Sequence, residues 1–355
     1  MRKSKLVLAG LAVGLAIGFE PAHAGLDLNE VGAFLVYPGV VAAVPGVQAQ
    51  GGTNVETFLT FTNTSANSIL AHVSFINGNF NDSKYCYECD FDVPMTGLDT
   101  ETLVLVRINN TTQIRNLDTG AIRSCAQYIG FVTVDVEDSN HNVLTDNILL
   151  GSEVVVDYTN GAALSVPAIA VQGESGNGDR YFAFDGSEYR KFPSVIGGDF
   201  IAPDVNGPLN ADLVLFTLAF DRQFPPLTDC SVIGFDAFEN QFSNSFQFGC
   251  WTIAPLEEID PEFAYPYLGA NTENNDHGWV QLSCTVYGTG SNGLVSGGVH
   301  GAIAQYADTG SRLRRDAGAP ALANAAAWAR ILFQSGTVGD AMTYHTENAA
   351  HGGTF

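Results

Sequence analysis

The sequence predicts an all-β protein. Its body is two tandem, similar antiparallel β-sandwich units, Ig-like or jelly-roll-like, behind an N-terminal signal peptide and ahead of one short C-terminal helix. Three observations predict it. Short runs rich in β-branched and aromatic residues are separated by Gly, Asn and Asp clusters at roughly the 8–12 residue spacing of sandwich strands. The pattern of the first half returns in the second. The six cysteines divide three and three between the halves.

Residues 1–24 read as a secretory signal. Arg2, Lys3 and Lys5 form a basic start, Leu6 to Phe19 is apolar and uncharged, and Ala22-His23-Ala24 offers small residues for cleavage after Ala24. The apolar run is shorter than the roughly 20 residues that cross a bilayer. No transmembrane segment is expected in the mature chain, and the expected location is the cell surface, periplasm or exterior.

The first unit is expected over 25–176. In Glu56 to Asn63, Phe58, Thr60 and Thr62 share one face and Leu59, Phe61 and Asn63 the other. Leu70 to Ile76 is a second apolar run, and the turn residues Thr64 to Asn67 between them predict a hairpin. Leu103 to Ile108, Gly130 to Val136, Asn147 to Asp157 and Ala163 to Val171 continue the series. Gln172 to Asp179, Gly-rich and polar, reads as a linker.

The second unit is expected over 177–308, with strands at Leu213 to Phe220 and Ser231 to Phe238. The segment from Cys89 to Glu101 aligns with that from Cys250 to Glu262, each opening on Cys and carrying a Pro, then an aliphatic residue, Asp and Glu. The strand from Gly130 aligns with the one from Gly278. Over 309–355, Pro320 to Phe333 is Ala-rich behind a Pro and predicts a helix, followed by a flexible tail. Arg312, Arg314, Arg315 and Arg330 lie in or beside that helix and would pack on the acidic body.

Charge narrows the function. The formal net charge is −23, from 15 basic and 38 acidic residues, and removal of the signal makes it more negative. Only Lys84 and Lys191 remain as lysines after the signal. Phosphate binding needs clustered Lys and Arg, so nucleic-acid partners are excluded and anionic lipid surfaces disfavoured. Hydrophobic residues make up 46% of the chain, enough to form a core, so the charge does not imply disorder.

Cys86, Cys89, Cys125, Cys230, Cys250 and Cys284 are an even set in a chain expected to leave the cytoplasm, which reads as disulfides. Six cysteines allow about 15 pairings. Each half can close one bridge, with Cys125 joined to Cys86 or Cys89, and the two left over can join the halves, stay free or link two molecules. Cys86-Tyr87-Glu88-Cys89 has thioredoxin or zinc spacing but no matching ligands or βαβ context, so the disulfide reading is preferred.

No Gly-x-Ser-x-Gly elbow and no His-Glu-x-x-His occurs. His72, inside an apolar strand, reads as a core or edge residue; His277 and His300 flank the strand around Trp279 and would have to converge to act together. Glu257, Glu258, Asp260 and Glu262 read as solvated loop charge. Calcium is the possible cofactor, because hard cations take oxygens closely spaced on a loop. Asp138, Asn140, Asn142 and Asp146 offer one such set and Asp204, Asn206, Asn210 and Asp212 another, although an Asp/Asn turn explains either.

The function expected is that of an exported non-enzymatic protein of the cell envelope or extracellular space, acting in surface assembly, adhesion or recognition with a protein or carbohydrate partner. The alternatives are a secreted polysaccharide hydrolase with a site built from distant loops, and a periplasmic small-ligand binding protein. Oligomeric state is not legible in the sequence.

Overall fold

The computed structural model describes residues 30–42, 55–79, 81–109, 111–138, 140–158, 162–176, 182–193, 195–203, 209–218, 227–236, 239–264, 267–268, 277–287, 299–307 and 328–331. The signal segment 1–24 and most of 309–355 fall outside these residues. Within them the protein is all-β, with several antiparallel sheets and one short α-helix.

The first half contributes β1 (Phe34–Val41), β2 (Val55–Asn63), β3 (Ile69–Asn77), β4 (Glu88–Met95), β5 (Thr100–Ile108), β6 (Thr111–Asn116), β7 (Ile122–Cys125), β8 (Ile129–Glu137), β9 (Val143–Leu144), β10 (Leu149–Asp157), β11 (Ala162–Pro167) and β12 (Ile169–Val171). The second contributes β13 (Val195–Ile201), β14 (Leu209–Thr217), β15 (Leu227–Asp236), β16 (Gln241–Phe248), β17 (Trp251–Pro255), α1 (Leu256–Ile259), a 3₁₀ turn (Pro261–Phe263), β18 (His277–Tyr287), β19 (Val299–Ala307) and β20 (Trp328–Ile331).

One sheet runs β12-β1-β8-β3-β4, with β9 beside β8, and a second runs β11-β10-β2-β5-β6-β7. The third runs β13-β18-β15-β16 and the fourth β17-β14-β19-β20. Strand order recurs between the halves. β1-β8-β3-β4 is matched by β13-β18-β15-β16, and β11-β10-β2-β5 by β20-β19-β14-β17.

Side-chain alternation explains which strands lie at a surface. In β2, Val55, Thr57, Leu59, Phe61 and Asn63 are buried and the residues between them are partly exposed. β1 is apolar on both faces because both are covered, whereas β8 alternates core-facing valines with Phe131, Thr133, Asp135 and Glu137. Leu35, Tyr37, Val73, Phe75, Val132 and Val134 face Leu59, Phe61, Leu103 and Leu105 in one core. Ile196, Phe200, Val232, Val280 and Leu282 meet Leu213, Leu215 and Ile303 in another. A third apolar cluster joins the halves, with Val36 and Phe131 on one side and Val214, Phe216, Trp251 and Ile253 on the other.

Two expectations are corrected. Thr64 to Asn67 does not close a hairpin: β2 pairs with β10 and β5, whereas β3 pairs with β8 and β4. The turn carries the chain from one sheet to the other, because the apolar faces of β2 and β3 pack across the core. Asn63 holds it, donating to the carbonyls of Asn67 (2.7 Å) and Thr96 (2.8 Å). The Ala-rich segment is also not helical where it is described, since Trp328–Ile331 forms β20 and pairs antiparallel with β19. The open edge of β19 supplies ladder partners for the backbone groups on one side of the segment, and this tertiary pairing outweighs a local preference.

The disulfides fix the connection between the halves. Cys89–Cys125 closes within the first, Cys230–Cys284 within the second, and Cys86–Cys250 spans 164 residues to join them. The C-x-x-C pair therefore diverges. Cys86 has a left-handed backbone (φ 65°), an uncommon conformation for a non-glycine residue, and bonds the other half while Cys89 bonds its own.

Candidate functional site

β3, β4 and β8 lie side by side, and their outer face carries the polar residues that the core side cannot. The register aligns Asp92, His72, Asp135 and Phe34 in one row across β4, β3, β8 and β1. The next row holds Asp90, Ser74 and Thr133, and the one beyond it Glu88, Ile76 and Phe131. Glu137 follows Asp135 at the period-two spacing that keeps both on one face. Phe182 and Phe184, from the segment between the halves, pack edge-on against Phe34, each at 5.3 Å between ring centroids. The result is a groove of about 530 Å³ with an aromatic wall and a carboxylate-rich floor.

The floor is a connected cluster. His72 Nδ1 lies 2.9 Å from Asp92 Oδ1 and 3.9 Å from Glu137 Oε1. Glu137 Oε2 lies 2.7 Å from His141 Nδ1. His141 has φ 60°, and this left-handed turn brings its ring back over the end of β8. One ligand atom each from His72, Asp92 and Glu137 falls within 4.8 Å of the others. Asp135 is 1% exposed, and its Oδ2 has no hydrogen-bond partner among the described residues.

Burial sets the electrostatics. It pushes the Asp135 carboxyl up to about 8, against the opposing pull of His72, so the group holds its proton at neutral pH. Burial alone would depress His72. The Asp92 hydrogen bond and the charges of Asp135, Glu137 and Asp92 outweigh it and raise the imidazole above its ordinary value. Burial, reinforced by Asp135 and Glu188, likewise raises the Tyr189 hydroxyl, which donates to the Leu144 carbonyl at 3.2 Å.

The residues proposed for calcium are placed differently. Asp138 closes its own turn, accepting from the backbone N–H of Asn140 (2.7 Å) and Asn142 (3.0 Å) and from the Asn142 side chain (2.9 Å). Those bonds, led by the Asn142 backbone, hold its carboxyl below the ordinary value. Asp146 is exposed beyond β9. Asp204 and Asn206 lie outside the described residues; Asn210 is on β14 opposite Tyr306, and Asp212 is buried in the same strand. His277 and His300 sit on different sheets. His300 is buried between Phe192 and Phe216, and burial lowers it to about 3, so it packs as a neutral ring.

Sequence reasoning missed the groove. The expectations from sequence point to the loop after β8 at Asp138 rather than at its neighbours Glu137 and His141, and read His72 as a core or edge residue. The signal was present in Gly130 to Glu137, where Asp135 and Glu137 alternate with valines that face the core. Neither family models, nor curated proteins, nor solved structures give a match to this chain.

Proposed function

We propose that this chain is an exported, non-enzymatic recognition protein of the cell envelope or extracellular space. In this reading two tandem β-sandwich units form a rigid body and the groove over β3, β4 and β8 is the binding face. The observation that carries the proposal is the Cys86–Cys250 bridge between the halves, with every described cysteine paired. Such bonds persist in oxidising compartments, which agrees with the basic and apolar start of the chain. The recurring strand order supports duplication of one unit.

The groove favours an electropositive ligand. Glu88, Asp90, Asp92 and Glu137 line it, and no Lys or Arg is among the described lining residues. The aromatic wall adds apolar contact. Fractionation of the native host, with non-reducing mass measurement, tests the export: the reading requires an oxidised protein outside the cytoplasm, and a reduced cytosolic protein would overturn it. Binding to host envelope fractions tests the face. Loss of binding in an Asp90→Asn, Phe182→Ser variant supports the groove, and undiminished binding moves recognition elsewhere.

A further inference from the structure

We propose that the groove is a binding site for a divalent first-row transition-metal ion, held by His72 Nδ1 with the carboxylates of Asp92 and Glu137. The inference rests on the groove being the ligand-binding face and names the class of ligand. Three independent features of the fold converge on it.

The first is geometry. Ligand atoms of His72, Asp92 and Glu137 lie within 4.8 Å of one another, so a shift of a few tenths of an ångström brings all three within the roughly 4.4 Å that donors at bond lengths of about 2.0–2.2 Å can span on one ion. Asp92 and His72 face each other by antiparallel register rather than through a loop, and Glu137 ends the adjacent β8, so the donors are fixed by the sheet.

The second is the orphaned oxygen. Asp135 is 1% exposed, faces the groove beside His72, and leaves Oδ2 without a partner among the described residues. A buried carboxyl oxygen without a hydrogen-bond partner costs free energy. Positive charge held by His72 next to it would stabilise its ionised form electrostatically, from outside the ligand set.

The third is the support of the ligands. His141 binds the Glu137 oxygen on the far side from His72, at 2.7 Å, and so orients that carboxylate. Outer hydrogen bonds of this kind hold ligands in many metal sites. An imidazole nitrogen among carboxylates selects zinc, copper or nickel over calcium, which prefers oxygen alone. The site differs from the calcium loops read from the sequence in residues and in ion.

Titration of the chelator-stripped full-length secreted protein with Zn²⁺, followed by calorimetry and thermal melting, is the test. One ion per chain is expected, with a raised melting temperature and Ca²⁺ at least about tenfold weaker. His72→Gln should weaken Zn²⁺ by about 100-fold or more and His141→Gln by about 10-fold, as for a ligand and its support. His277→Gln should leave it unchanged. A crystal soaked in Zn²⁺ makes the test independent of variant folding, because anomalous scattering must place the ion in bonding contact with His72 and Glu137. No Zn²⁺ binding, equal affinity for Ca²⁺, an ion elsewhere, or an unaffected His72→Gln variant would each overturn the proposal. These outcomes are independent of the export and envelope-binding tests, so either reading can fail alone.

Discussion

The indole N–H of Trp251 donates to the carbonyl of Pro38 at 2.7 Å, across 213 residues of sequence. Pro38-Gly39 interrupts the pairing of β1 with β8, where the register shifts between Tyr37 and Val40. The interruption frees a carbonyl that a regular ladder would have used, and the second half takes it. Tyr85 closes the contact from the other side, its hydroxyl donating to the Trp251 carbonyl at 2.8 Å. Trp251→Phe keeps most of the ring but leaves the Pro38 oxygen unpaired, and should cost about 1–3 kcal/mol. Trp251→Ala should cost about 3–5 kcal/mol. Urea denaturation measures both, and a Trp251→Phe protein as stable as the parent would show that the bond adds nothing.

The bridge beside this contact should dominate the covalent contribution. Cys86–Cys250 closes 164 residues and Cys89–Cys125 closes 36. Loop entropy grows with the logarithm of loop length, so the longer bridge should contribute about 1 kcal/mol more, from a total of about 4–5 kcal/mol. Paired Cys→Ser replacements, each compared with the parent under non-reducing conditions, measure the difference. An equal or larger loss from Cys89/Cys125 would contradict the ranking.

The all-β class was legible because strand periodicity is local. β2, β5, β8, β10 and β11 all fall on runs chosen for alternation or β-branching. Partner choice is not local, and there the reading failed. The turn at Thr64 to Asn67 looks the same whether the next strand pairs with β2 or crosses the core, and only burial of Val73 against the β2 face decides it. The aligned cysteine segments were one strand out of step. By sheet order, β17, which follows Cys250, occupies the place of β5, not of β4, which holds Cys89. β1 was hidden by Pro38, whose break in the ladder is structural. The acidic alternation at Asp135 and Glu137 is legible, but the groove as a whole is not, because its row of Asp92, His72 and Asp135 exists only once the register is known.

Gly78 tests how tightly the halves fit. A Cβ there would meet the Trp251 ring, 2.7 Å from Cδ2, and the Cα of Gly130 at 2.8 Å. Neither neighbour can withdraw, since Trp251 is held by Pro38 and Gly130 lies in the β8 pairing. Gly78→Ala should therefore destabilise by about 1–3 kcal/mol. Gly39→Ala is the comparison, because its nearest contacts are at 3.8 Å, and it should fall within about 0.5 kcal/mol of the parent. Similar melting temperatures for the two variants would mean that the junction is looser than this packing.

Glu153 gives the protein a pH dependence of predictable sign. It lies on β10, 1% exposed, with Oε2 accepting from the Gly39 N–H at 3.5 Å and Oε1 unpartnered among the described residues. Burial pushes its carboxyl up to about 8, against a weaker opposing pull from Gly39. An unfolded Glu titrates near 4.3, at about that pH. Below about 4 both states are protonated and nothing is lost. Above it the unfolded chain releases a proton that the folded protein keeps, so stability falls as pH rises and levels off beyond about 8. Asp135 acts in the same sense, since burial sets it near 8 as well. His300, lowered to about 3 by burial, acts in the opposite sense below about 6.5, where the unfolded imidazole takes up a proton. The fall is therefore best observed between about pH 6.5 and 8. The His72 imidazole, raised above its ordinary value, loses stability in the same window. Glu153→Gln is neutral throughout and should remove the share of Glu153, leaving those of Asp135 and His72. It should also be more stable than the parent above pH 8, by on the order of 1 kcal/mol or more. Guanidinium denaturation of both proteins at half-unit pH steps measures the slopes, and parallel curves would show that Glu153 is already ionised in the folded state.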